Sequence, residues 1–156
     1  MTISLEKVFF GFILKNKNYF HLVEPFYFKN LEIQFVYNVL RKYILDNGEA
    51  DIPHPKQIFE MISLEDKDGM ITKEILKSIL TVKLENYDED NFVVPKFNGW
   101  VLSNRIKSGS VDIIEQVRAL DGISDYDTAL EKAHRIKDIV ENMSNTNFAD
   151  DDDMGS

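Results

Sequence analysis

The sequence predicts an all-α protein, a helical bundle followed by an antiparallel helical hairpin. Apolar residues recur every three or four positions over most of the chain, which is the spacing of one helix face. Proline, glycine and capping residues separate these periodic runs into helices of ordinary length. Phe92-Val93-Val94 is the only short β-like run, and it has no partner strand in the sequence. The fold class is therefore predicted from the helical periodicity together with the residues that begin and end helices.

The first half of the sequence predicts two helices, the first of them well buried, with a short segment between them. The short segment, residues 19–23, stops before Pro25 because the residue preceding a proline avoids helical geometry. A long helix is expected from Leu31 to Asp46, with Asn30 as its N-cap and Gly48 as its C-terminal stop. The apolar face of the first helix contains Leu5, Val8, Phe9, Phe12 and Ile13.

Three further helices are predicted before the hairpin turn. Pro55 suits the first turn of a helix that runs through Ile62. Thr72 is expected to cap a helix that continues to about Leu84. The acidic residues 88–90 are expected to form a loop, and Pro95 to begin the next long helix.

The predicted hairpin turns at Asp121-Gly122, a pair that breaks helices. Ser124 and Asp127 are expected to begin its second arm as a capping box. Both arms have the alternating steps of four and three that are typical of helices packed side by side. Gly109 in the first arm predicts a bend or a close helix approach. We expect the hairpin packing or a dimer contact to be carried by Ile106, Ile113, Val117, Leu120, Ala129, Ala133, Ile136, Val140 and Met143, with Ser110 on the same run.

Length and composition predict one soluble domain in three stretches. Residues 1–95 form a helical head, 96–144 the hairpin of the same domain, and 145–156 an acidic disordered tail or linker. No cysteine is present, which excludes disulfides and thiolate metal sites. The net charge of −9 repels phosphate, so little direct binding of nucleic acid is expected. Neither a signal peptide nor the ~18 to 20 apolar residues of a membrane span is seen, and a cytoplasmic location is expected.

No motif predicts a catalytic, cofactor-binding or metal-binding residue. The run from Leu64 to Ile75 matches the middle of a calcium-binding loop at Asp66 and Asp68. It places apolar side chains where calcium needs its first and last oxygen ligands, so an interhelical turn capped by Thr72 is the favoured interpretation. The three histidines are far apart in sequence and lack the spacing of a metal motif.

Aromatic residues are dense near the amino terminus and fit two structures. Most follow helical spacing, which favours a packed core. A stacking surface for single-stranded nucleic acid would interleave such rings with Lys and Arg, and only a few lysines lie nearby. An exposed subset of the rings remains open as a partner site. The residues are Phe9, Phe10, Phe12, Tyr19, Phe20, Phe26, Tyr27, Phe28, Phe35 and Tyr37.

The order of elements resembles the amino-terminal domain of DnaB-type hexameric replicative helicases. Residues 8–16 are similar to its opening helix, residues 25–28 to its aromatic turn, and residues 31–48 to its long second helix. Residues 100–120 and 126–143 resemble the two arms of its hairpin. The likeness extends from about Ser4 to Ser144 and rests on order and spacing. Aromatic richness, acidity and the 66–72 insert depart from bacterial members and suggest a bacteriophage relative.

The resemblance implies an assembly and docking domain of a replicative helicase. Its hairpin would self-associate into a dimer or a ring collar, and the collar would contact primase or a helicase loader. ATP and magnesium would bind only in a motor domain outside this sequence, so no enzyme activity is expected of this chain. The alternatives are a stand-alone helical adaptor that binds a host or phage protein through an aromatic patch, and a calcium-responsive protein using Asp66 and Asp68.

Overall fold

The computed structural model describes residues 3–48 and 51–144, with side chains from residue 5. The described residues contain six α-helices and no β-strand, which confirms the all-α fold class. The chain divides into two compact units, Met1–Val93 and Val94–Ser156. The expected tail at 145–156 lies outside the described residues. The helices are α1 (Ile3–Lys15), α2 (Leu31–Asp46), α3 (Pro55–Glu65), α4 (Lys73–Leu80), α5 (Val94–Arg118) and α6 (Tyr126–Met143).

The core of the first unit is aromatic. The rings of Phe10, Phe20 and Phe28 surround Tyr37, with centroid distances to the tyrosine ring of 5.8, 5.5 and 4.9 Å. All four side chains are fully buried. The Tyr37 hydroxyl donates a hydrogen bond of 2.7 Å to the carbonyl of Val23, and burial raises the pKa of that hydroxyl. Of the ten aromatic residues singled out above, only Phe26 is exposed and Phe35 half-buried, so the interpretation as a packed core is confirmed.

Local capping sets where the helices of the first unit begin. The Asn30 side chain accepts a bond of 3.0 Å from the Ile33 amide, and Thr72 accepts one of 3.2 Å from Ile75. Both predicted caps are therefore confirmed. His54, expected only as part of a connector, caps α3 by accepting a bond from the Lys56 amide through Nδ1. Each cap satisfies an amide that the first helical turn leaves without a partner.

Two boundaries differ from the expectation. α4 ends at Leu80 instead of near Leu84, where a separate 3-10 turn begins. The acidic stretch is helical at Glu89–Val93. The start of this helical turn is stabilised by the Asp88 carboxylate, which accepts hydrogen bonds from the side-chain and backbone N–H groups of Asn91. These bonds lower the pKa of Asp88, and this local acceptor explains why an acidic run forms a helical turn.

The loop that resembles part of a calcium site is organised by its own backbone. The carboxylate of Asp66 accepts bonds of 2.9 Å from the amide of Met70 and 2.7 Å from that of Ile71. Gly69 has a φ of +67°, a left-handed conformation that favours glycine. Both oxygens of Asp66 are thus engaged in the turn between α3 and α4, as the interhelical-turn interpretation expects.

The second unit is built from α5 and α6, which pack along one another. They run antiparallel, since the Arg105 guanidinium reaches the carbonyl of Asn142 near the far end of α6. The capping box expected at Ser124 is wrong by one residue, because Asp125 accepts a bond of 2.9 Å from the amide of Thr128. No helix among the described residues combines the length and apolar character required to cross a bilayer.

Candidate functional site

The residues predicted to carry hairpin packing or dimer contact divide into two groups. Ile106, Val117, Ala133 and Val140 are exposed on the paired helices. The remaining members are half-buried, namely Ser110, Ile113, Leu120, Ala129, Ile136 and Met143. The single run of each arm therefore covers both the seam between α5 and α6 and a surface beside that seam.

The two helices approach closely at Gly109. This residue is buried, and a Cβ placed on it would lie 2.4 Å from Cγ and Sδ of Met143 and 3.4 Å from Cγ2 of Ile139. The close approach expected at Gly109 is thus observed. Ile139 was missing from the predicted run because the strict alternation of threes and fours stepped from Ile136 to Val140. A broader apolar stripe, with Ile136 and Ile139 three apart, would have included it.

A second apolar stripe on α5 is left open to solvent. Ile106, Ile114 and Val117 are 44%, 49% and 51% exposed. At about 3.6 residues per turn, these three side chains share one side of α5, roughly a sixth to two-fifths of a turn from Gly109. The stripe therefore lies beside the side that packs on α6.

The matching stripe on α6 lies on the same side of the helical pair. Leu130 and Val140 are 40% and 44% exposed, and Ala133 lies between them. These residues lie roughly a quarter to a half of a turn from Ile139, in the same rotational sense as the α5 stripe lies from Gly109. Because the two helices are antiparallel, rotations in the same sense turn both stripes toward one face. We call Ile106, Ile114, Val117, Leu130, Ala133 and Val140 the open face.

The two edges of the open face carry opposite charges. Lys107 and Arg118 are exposed along the outer edge on α5. Asp127 and Glu141 are exposed along the outer edge on α6. Lys137 is the exception, since it lies within the α6 stripe. The two basic residues are 11 positions apart on α5, and the two acidic residues are 14 positions apart on α6.

The first unit has its own exposed apolar patch. Phe26, Leu31 and Met70 are 48%, 68% and 40% exposed. Together with Phe35 they line an open cavity of about 470 Å³. The aromatic density of the sequence pointed to Phe26 and Phe35. Leu31 and Met70 were not singled out, because they come from a helix start and a distant loop that only the fold brings together.

Ionisable side chains are not gathered into a metal site within residues 3–48 and 51–144, where no group of three or more His, Asp or Glu could hold an ion. One polar atom in the second unit is nonetheless buried without a hydrogen-bond partner, Oε1 of Gln116 on α5.

Comparisons of the chain with protein-family models, with curated sequences and with solved structures gave no match.

Proposed function

We propose that this chain is an assembly domain that pairs with a second copy of itself through the open face. The observation that carries the proposal is the set of apolar side chains left exposed on α5 and α6. An exposed apolar face of this kind is typical of an interaction surface, since burying it removes hydrocarbon from water.

The charges at the edges favour a second copy over an unrelated partner. In a two-fold pair whose axis runs along the helices, α5 of one copy faces α6 of the other. The basic edge with Lys107 and Arg118 then lies opposite the acidic edge of the second copy. Lys107 and Glu141 lie toward one end of the helical pair, and Arg118 and Asp127 toward the other. Opposite charges therefore meet at both ends, and the face is complementary to itself.

In the wider proposal, this assembly serves a replicative DNA helicase. The paired helices would belong to a collar that contacts primase or a helicase loader, and ATP hydrolysis would take place in a motor domain outside this sequence. Support comes from the resemblance in element order. Sequencing the gene beyond Ser156 tests this part. A continuing frame with a strand, a phosphate loop and a helix is expected, and a stop codon close behind would contradict it.

Val117→Asp tests the self-association. Val117 is half-exposed on the open face, so a charge there would be buried on pairing without disturbing the separate chain. We expect the mass from light scattering or sedimentation to fall toward that of one chain, with α-helix content unchanged. Leu64→Asp is the matched control, because Leu64 is an exposed leucine on α3 in the first unit. A wild-type protein that is a single chain at high concentration would refute the proposal.

An adaptor function is the second candidate, and the patch of Phe26, Leu31, Phe35 and Met70 favours it. Three of these side chains expose 40% or more of their surface. An adaptor would dock its partner on this patch and would have no need of pairing through the open face. Phe26→Ser should then abolish partner binding while Val117→Asp leaves it intact.

A further inference from the structure

A groove between α3 and α4 combines an apolar floor with a basic rim. The floor is formed by Phe59, Leu76 and Leu80, of which Leu76 is buried and the other two half-buried. Lys56, Lys73 and Lys77 line the rim and are exposed. The groove has a volume of about 780 Å³. It belongs entirely to the first unit and shares no residue with the open face or with the patch around Phe26.

The charge of this groove is opposite to that of the chain. Three lysines line it against one carboxylate, Glu60, whereas the whole chain carries −9. The Nζ of Lys73 lies 5.5 Å from the centroid of the Phe59 ring, a distance at which the ring face attracts the cation. That interaction holds one positive charge directly beside the apolar floor. The groove therefore offers hydrocarbon contact and positive charge to the same ligand.

The spacing along α4 fits a helix as the ligand. Leu76 and Leu80 are four residues apart, as are Lys73 and Lys77, so each pair repeats along one side of α4. From Lys73 to Thr81 the groove extends about 12 Å, which is about two turns of a docked helix. A helix that presents leucine-like side chains at matching intervals would fill the floor, and acidic residues on its flanks would meet the rim.

We propose that the groove between α3 and α4 binds an acidic amphipathic helix of a partner protein. A nucleic acid is disfavoured, because the floor is mainly aliphatic and its one ring is half-buried under a lysine, which leaves little surface for base stacking. The binding is separate from the pairing through the open face and does not depend on it.

The test is a titration of the 156-residue chain with a labelled acidic helical peptide. The probe has about 14 residues, with leucines on one face and glutamates on its flanks. Its control has the same leucines and lysines in place of the glutamates. We expect saturable binding of the acidic peptide only, with amide NMR shifts confined to residues 55–60 and 73–81.

Paired charge reversals locate the binding. Lys73→Glu with Lys77→Glu should lower the affinity for the acidic peptide about tenfold or more, because both charges on the rim then repel the glutamates of the peptide. Lys42→Glu with Lys67→Glu changes the net charge equally, at exposed lysines outside the groove, and should leave the affinity near wild type. Lys73→Gln with Lys77→Gln removes the charges without adding repulsion and should give an intermediate loss.

Four results would overturn the proposal. The first is that the acidic peptide shows no saturable binding, and the second is that the acidic and basic peptides bind equally well. The third is that the two pairs of charge reversals weaken binding of the acidic peptide equally. The fourth is that a thymidine oligonucleotide binds and that Lys73→Glu with Lys77→Glu abolishes this binding. A peptide of residues 145–156 that binds as tightly as the probe would assign the groove to this chain's own acidic segment instead. Repeating the titration with Val117→Asp separates the two proposals, since a single chain should bind the peptide unchanged.

Discussion

At the scale of single residues, Glu6 is the side chain whose role is least visible in the sequence. It lies within the apolar first helix and is 2% exposed. Its two carboxylate oxygens accept hydrogen bonds of 2.8 Å from the Lys29 amide and 3.0 Å from the Asn30 amide. These amides precede α2, so the buried charge of α1 holds the start of α2 in place. Such charge-assisted bonds are what make burial of a carboxylate tolerable.

Replacing Glu6 by Gln tests this role. The side-chain shape is kept, but the charge is lost and the new NH₂ group meets a backbone donor. We expect a loss of about 1.5 to 3 kcal/mol in the free energy of unfolding, measured by urea denaturation. Glu65→Gln is the control, because Glu65 is exposed at the end of α3. Equal midpoints for the two variants would contradict the assigned role.

Asp125 gives a second residue-scale prediction, on pH. Bonds from the hydroxyl and amide of Thr128 hold the pKa of Asp125 below its ordinary value of 3.8. A lowered folded pKa means that the cap stabilises α6 above pH 3.8 and that this contribution is lost as the pH falls through the folded pKa. Amide NMR at residues 126–129 should show acid fraying. Asp125→Asn, which caps without titrating, should reduce that acid dependence, and an unchanged profile would argue against the cap.

At the scale of elements, α5 and α6 carry wider apolar stripes than a helical pair alone requires. One part of each stripe packs at the seam near Gly109, and the other part forms the open face. The heptad-like pattern correctly placed apolar residues on both arms. The pattern did not distinguish the residues of the seam from those of the surface. Apolar residues spaced alternately three and four apart drift around the helix, so their spacing does not show which of them face the other arm.

Ile136→Asp and Val140→Asp should separate these two parts. Ile136 is half-buried at the seam, whereas Val140 is 44% exposed. A charge at the seam should destabilise the paired helices by about 2 to 4 kcal/mol and lower their helicity, because a helix of this length is marginal without packing. Val140→Asp should leave helicity intact and lower only the mass of the assembly. Circular dichroism with sedimentation distinguishes the outcomes, and identical behaviour of both variants would show that the seam is misassigned.

At the scale of the whole molecule, acidic charge dominates. The chain has 27 acidic residues against 18 Lys and Arg. Such a balance opposes phosphate at long range, while local basic features such as the groove between α3 and α4 act only at contact distance. The charge balance thus predicts proteins as ligands more than nucleic acids.

We therefore expect no binding of single- or double-stranded DNA at about 0.15 M salt, since sequence-independent binding depends on neutralising phosphates. Fluorescence anisotropy of labelled oligonucleotides is the measurement, with a basic DNA-binding protein as positive control. A rise in anisotropy that weakens steeply with added salt would contradict this expectation and would direct attention to the lysines of the groove.

The sequence by itself determined the fold class, most helix positions and the caps at Asn30 and Thr72. These depend on hydrogen bonds and periodicities within one or two turns, so neighbouring residues encode them. Only the tertiary structure decided that Glu6 meets amides 23 and 24 residues away, that Gly109 lies against Met143, and which apolar residues of α5 and α6 remain exposed. The patch around Phe26 and the groove with Lys73 likewise combine residues from separate elements. The physical reason is that a helix specifies its own stripe, but the choice of what covers that stripe depends on packing between distant segments.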